Sequence, residues 1–161
     1  MIRAARRDDA AAIIGLWNPV IRDTVITFNP VEKTEADVQA LIEEAAARDW
    51  GFLVAEADGR FLGFARYFQF RGGPGYARSM EHTIYLDPKV HGRGLGHAML
   101  EALEGHARAR GMRMLIGGIT GSNASSLRFH ASRGYAEVGR IPDAGFKFGI
   151  YHALVLMQKR L

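Results

Sequence analysis

Apolar positions change period along the chain, and the changes mark its elements. Ala11, Ile13, Ile14, Leu16 and Trp17 recur at three- and four-residue steps, one buried face of a helix that Asp8 or Asp9 can cap. Val38, Leu41, Ile42 and Ala45 repeat that spacing behind Thr34 and Asp37, which form the pattern of a capping box. The period then drops to two. GFLVAEA and RFLGFARYFQF read as strands joined at Asp58-Gly59, a strong hairpin signal. RGGPGYARS is too rich in glycine for regular structure and leads into a segment where His82, Ile84 and Leu86 alternate with Glu81, Thr83 and Tyr85. Asp87-Pro88 ends that strand. Helical spacing resumes with Leu95, Met99, Ala102, Leu103 and His106, and Gly111 stops it. MLIGGIT reads as a strand, and Asn123 caps a short helix, ASSLRFHASR, that ends at Gly134. YAEVGRI and IYHALVLMQKR read as the last two strands, and Ile2 to Ala5 as the first.

The junction between the Glu81 strand and the long helix carries the most chemistry. Gly92, Gly94 and Gly96 of HGRGLG lie where that helix begins. The first amides of a helix lack intrahelical partners and sit at the positive end of its dipole, so such a loop can wrap a phosphate, with Arg93 adding charge. The same glycines also suit a tight turn. A dinucleotide fingerprint does not fit, because the glycines follow several strands and MLIGGIT ends without a carboxylate. A P-loop does not fit either, since Gly-Lys-Ser/Thr is absent.

Composition narrows the classes. The 161 residues are 48% hydrophobic and 24% charged, with 21 Lys and Arg against 17 Asp and Glu, and they are expected to form a single domain spanning 1–161. The basic residues are dispersed, with no stripe interleaved with aromatics, so nucleic-acid binding is not expected. No apolar run is long enough to span a membrane and no leader is visible, which points to a cytoplasmic protein. With no cysteine, an acyl group cannot pass through a protein thioester. His82, His91, His97, His106, His130 and His152 show no metal-binding spacing, and no metal is expected.

His91-Gly92-Arg93-Gly94-Leu95-Gly96 resembles the acyl-CoA loop of the GNAT acetyltransferase superfamily, Gln/Arg-x-x-Gly-x-Gly/Ala, with His91 replacing the first residue. FRGGPGYARSMEHTIYLDP, GRGLGHAMLEALEGHAR, GITGSNASSLRFHASRGYAEVGR and FKFGIYHALVLMQ, in this order, are similar to its phosphinothricin and methionine sulfone/sulfoximine acetyltransferase branch over essentially the whole chain. The resemblance implies an α/β GNAT fold: a mixed, mostly antiparallel sheet of about six or seven strands flanked by about four helices. It implies acetyl-CoA as cosubstrate, N-acetylation of a small amino-acid-like amine, and a homodimer. The alternatives are another amine acceptor, such as a polyamine, aminoglycoside or protein N-terminus, or a CoA-binding sensor without turnover.

Residue roles follow from the same resemblance. The edge at Ile84, Tyr85 and Leu86, splayed by a bulge, would pair with the pantetheine arm. The amides of Gly92, Arg93, Gly94, Leu95, Gly96 and His97 would take the pyrophosphate, and Asn123 would contact the arm besides capping its helix. Glu81 is the expected general base, because an ammonium group cannot attack a thioester until it loses a proton. His82 is a second proton carrier or a satisfied core histidine. His130 holds the place where many superfamily members keep a tyrosine acid, five residues before Tyr135. Backbone amides near Leu86 would receive the oxyanion. The helix at Ala11 to Trp17 and the following segment would cover the acceptor, with Thr24 and Phe28 as contacts, and Pro74, Gly75 and Tyr76 would line its pocket. Two arginines of the branch pattern are missing: Ala77 follows Tyr76, with Arg78 displaced by one, and Ile150 stands in the final motif. Neither can clamp a carboxylate.

Overall fold

In a computed structural model, which describes residues 1–161, seven strands form one sheet in the order β1-β2-β3-β4-β5-β7-β6. The strands are β1 (Ile2–Ala4), β2 (Phe52–Ala57), β3 (Arg60–Gln69), β4 (Ser79–Leu86), β5 (Met114–Thr120), β6 (Ala136–Lys147) and β7 (Ile150–Arg160). All neighbours pair antiparallel except β4 and β5. The helices are α1 (Ala10–Asp23), α2 (Glu35–Ala47), α3 (Leu95–Ala109) and α4 (Ala124–Ser132). None is long and apolar enough to cross a membrane.

Local signals place most of the boundaries. Thr34 accepts from the Asp37 amide and Asp37 accepts from that of Thr34, the reciprocal box that opens α2. Asp58 and Gly59 turn β2 into β3 with φ of 50° and 72°. Asp9 departs from its expected role: its carboxylate accepts from Arg3 and from the Arg6 amide, closing a 3-10 turn at Arg7–Asp9 ahead of α1. β6 runs beyond YAEVGRI because Pro142 and Asp143 are taken up in a register shift between Ile141 and Gly145.

Alternation along the strands builds two cores, one on each side of the sheet. Phe52, Val54 and Phe64 pack with Ile13, Trp17 and Ile21 of α1 and Val38 and Ile42 of α2. Leu53, Ala65, Tyr67, Met80 and Leu115 pack with Met99, Leu100 and Leu103 of α3. Each fully buried aliphatic side chain contributes about 1.5–3 kcal/mol. Glu81 lies opposite Phe68 and Tyr85 opposite Phe64, so both face the α1/α2 side; His82, opposite Tyr67, faces α3 and α4.

Candidate active site

The site forms where two parallel strands part. β4 and β5 are paired from Ser79↔Met114 to His82↔Gly117 and no further. β5 then follows β7 as far as Thr120↔Leu154, while β4 stays with β3 as far as Leu86↔Gly63. The backbone groups of Thr83 to Leu86 that face β5 therefore meet no strand. The expected bulge in β4 is absent: its register with β3 is unbroken, and the register shift in this half of the sheet lies at Ala55/Glu56. Divergent loyalties of β4 and β5 to their outer neighbours open the gap instead.

A cleft of about 360 Å³ fills that gap, lined by both faces of the split. Glu81, Thr83 and Tyr85 reach it from β4, Ile26, Phe28 and Asn29 from the segment after α1, and Asn123, Ser126 and His130 from α4. Two consecutive glycines in β5 make the room. A Cβ on Gly118 would fall 3.3 Å from Glu81 Oε1, and a Cβ on Gly117 would fall 3.1 Å from the His82 ring on the opposite face. The Glu81 carboxyl thus lies close to the bare backbone of Gly118.

Electrostatics set the two faces apart. Burial pushes the Glu81 carboxyl above the usual glutamate range, partly offset by the Arg66 guanidinium. Arg66 is itself lowered to about 10 by burial, and it stacks 4.8 Å from the Phe68 ring centroid. On the other face His82 Nε2 meets His130 Nε2 at 2.9 Å. His130 Nδ1 lies 2.8 Å from the Ser126 carbonyl, which can only accept, so the His130 proton is on Nδ1. Its Nε2 must then accept from His82 Nε2–H, and His82 Nδ1 is left buried without a hydrogen-bond partner. Burial first, and the neighbouring His130 second, hold His82 down to about 3; burial lowers His130 as well. Both rings are neutral near pH 7.

The glycine loop follows β4 at the start of α3 and is not part of the cleft's lining. Gly92 and Gly94 have φ of 76° and 79°, values natural to glycine, and nothing lies within 4 Å of a Cβ placed on either. No amide from Gly92 to His97 donates to a backbone carbonyl, and Gly94 is the N-cap of α3. Amides without backbone acceptors at a helix start suit an anion. Arg93 is exposed, and the His97 ring turns outward, 3.8 Å from Glu101.

Several expected acceptor residues stand elsewhere. Pro74, Gly75 and Tyr76 form an exposed 3-10 turn and do not line the cleft; Gln69 Nε2 holds that turn outward by donating to the carbonyls of Arg71 and Gly73. Thr24 ends α1 by donating to the Val20 carbonyl and is not among the lining residues. Arg78, one place late, donates to the Gly111 carbonyl at 2.8 Å. No Lys or Arg lines the cleft. Phe28 does line it, its ring 5.7 Å from that of His152. Asn123 both caps α4, accepting from the Ser126 amide, and lines the cleft. Gly117, Gly118 and Thr120 also line the cleft, beyond the residues expected from sequence. GG within a strand was the one available sign.

The profile of the Acetyltransferase (GNAT) family matches residues 18–135. L-methionine sulfoximine/L-methionine sulfone acetyltransferase of Pseudomonas paraeruginosa is 33% identical over 161 residues, covering 99% of this chain and 94% of that protein. Phosphinothricin N-acetyltransferase of Alcaligenes faecalis is 31% identical over 161 residues, covering 99% and 82%. The fold superposes on an acetyltransferase from Salmonella typhimurium, solved with its cofactor acetyl-CoA, with a TM-score of 0.96 at 32% identity over 100% of this chain and 93% of that one. From the parted strands to the glycine loop and the end of β7, the resemblance runs the length of the molecule, and the protein belongs to the GNAT family of acetyltransferases.

Proposed function

We propose that the protein transfers acetyl from acetyl-CoA to the amino group of a small amino-acid-like acceptor, the class that includes methionine sulfone and phosphinothricin, with Glu81 as general base. The observation that carries this reading is the parting of β4 and β5, which sets a desolvated carboxylate beside an open strand edge that leads into a loop whose amides have no backbone acceptors. The pantetheine arm pairs with the free edge of Ile84, Tyr85 and Leu86, and the amides of Gly92 to His97 hold the pyrophosphate. Asn123 faces the arm from α4.

The chemistry proceeds by direct attack. The acceptor ammonium gives a proton to Glu81, whose raised pKa makes it a stronger base than an ordinary glutamate. The neutral nitrogen attacks the thioester carbonyl and forms the C–N bond, the resulting tetrahedral oxyanion is met by the unpaired β4 amides, and its collapse re-forms C=O as C–S breaks. The thiolate takes its proton from the intermediate's nitrogen. His82 and His130 border the thioester side, and with both ring protons committed internally they act there as a neutral pair that shapes the cleft.

On this reading the cysteine-free enzyme works in the cytoplasm, without metal, as a homodimer. Support for the dimer comes from the β6–β7 hairpin, where Phe146, Phe148, Ile150 and Tyr151 are each more than half exposed, at 59%, 59%, 59% and 65%. The test is thiol release from acetyl-CoA against methionine sulfone, phosphinothricin, ordinary amino acids and simple amines. Release with an amino-acid-like member confirms the class. Release only with a polyamine or aminoglycoside moves the acceptor elsewhere, and tight acetyl-CoA binding with no release for any amine leaves a sensor.

A further inference from the structure

Lys147 is buried, 5% exposed, and no carboxylate pairs with it. Its ammonium donates to the carbonyls of Ile21, Thr24 and Thr27 at 2.5, 2.5 and 2.8 Å. An ammonium has three N–H groups, and here each meets one oxygen. Ile21 belongs to the last turn of α1, where carbonyls lack helical partners and the dipole favours a cation; Thr24 and Thr27 lie in the segment that follows. That segment walls the cleft with Ile26, Thr27, Phe28 and Asn29, yet no strand pairs with it.

Other contacts from the same side hold the segment down. Thr120 Oγ1 donates to the Val25 carbonyl from β5. Phe28 lies against Gly145 so closely that a Cβ there would stand 2.2 Å from its ring, and His152 stacks on Phe28. Lys147 itself is fixed at the base of a two-residue turn, Phe148-Gly149, with φ of 54° and 77°, and its own carbonyl accepts from His152 Nε2 at 3.0 Å. The β6–β7 hairpin is thus rigid where it meets the segment.

We propose that Lys147 is the positioning residue of the acceptor pocket: its buried ammonium replaces the missing strand partner of residues 24–29 and holds Phe28 and Asn29 at the cleft. Burial lowers the Lys147 pKa, so the cation is kept for these three bonds at some cost in desolvation. The inference rests on the N-acetyltransferase reading for its kinetic part and on geometry alone for its structural part.

Lys147→Met keeps an unbranched stem that ends one atom short of the ammonium nitrogen and removes all three donors. Steady-state kinetics with the best acceptor of the wild-type panel should show its KM raised at least tenfold, with the KM for acetyl-CoA within twofold of wild type. Hydrogen exchange should quicken at least tenfold in residues 21–29 and stay unchanged in α3 and β4. Thr120→Val, which releases the same segment from β5 at nearly constant volume, should move exchange and acceptor KM in the same direction by a smaller factor. Unchanged exchange in 21–29 in both variants overturns the proposal, as does a joint rise of both KM values with faster exchange throughout the sheet. Should Lys147→Met not fold, unchanged exchange in Thr120→Val alone overturns it. Should the wild type acetylate no amine, the enzyme reading fails by itself while the exchange comparison still decides the clamp.

Discussion

The His82–His130 pair makes a prediction about acid stability that can be worked from the structure. His82 titrates at about 3 in the folded protein against 6.5 for the exposed side chain, because burial and His130 both oppose its charging. A folded pKa below the unfolded one means that the unfolded chain binds the extra proton. Stability from this group is therefore complete above pH 6.5 and is lost as pH falls toward 3. At about 1.4 kcal/mol per pH unit, acidification from 6.5 to 5 removes roughly 2 kcal/mol through His82 alone. That is a large share of a typical folding free energy of about 5–15 kcal/mol. His130, also lowered by burial, acts in the same sense, whereas the raised Glu81 acts in the opposite one. A matched variant isolates the His82 part. Urea unfolding of wild type and His82→Gln at pH 7.5 and 5 should show the wild type losing about 2 kcal/mol more than the variant, whatever the variant's stability at pH 7.5. Equal losses would mean that His82 is charged or solvated in the fold, and the neutral, directional pair would have to be abandoned.

Other consequences can be checked one by one. Glu81→Gln should lower kcat by about 10²–10⁴ while the calorimetric Kd for acetyl-CoA stays within twofold, and the acid limb of kcat/KM, expected above the ordinary glutamate value of 4.5, should vanish with it. Gly118→Ala places a Cβ 3.3 Å from Glu81 Oε1 and should reduce kcat/KM about tenfold with a melting temperature near wild type; unchanged kinetics would show that the carboxylate need not lie over β5. Gly94→Glu adds a left-handed strain of about 1–2 kcal/mol and an anion among amides that have no backbone acceptors, so acetyl-CoA binding should be lost to calorimetry. Tyr151→Asp, at a side chain 65% exposed on the apolar hairpin, should halve the mass found by light scattering if the wild type is a dimer there.

Much of this architecture was legible in the order of residues, because its signals act over two to four positions. Alternation named the two faces of β4, so Glu81 and His82 could be assigned to opposite sides before any tertiary contact was known. Thr34 with Asp37, Asp58-Gly59 and Asn123 fixed their turns and caps through bonds to backbone groups three residues away or fewer. The glycine loop announced a helix start with open amides. The arrangement of the site depends instead on residues far apart in sequence. β4 and β5 part because each follows a different outer strand, a property of the whole sheet order. The desolvation that raises Glu81, the meeting of His82 with His130 across 48 positions, and the capture of Ile21, Thr24 and Thr27 by Lys147 more than 100 positions later arise only when those segments pack together. Spacing reports what a residue's neighbours do to it, but charge state and loop position are set by the dielectric and the donors that distant segments bring.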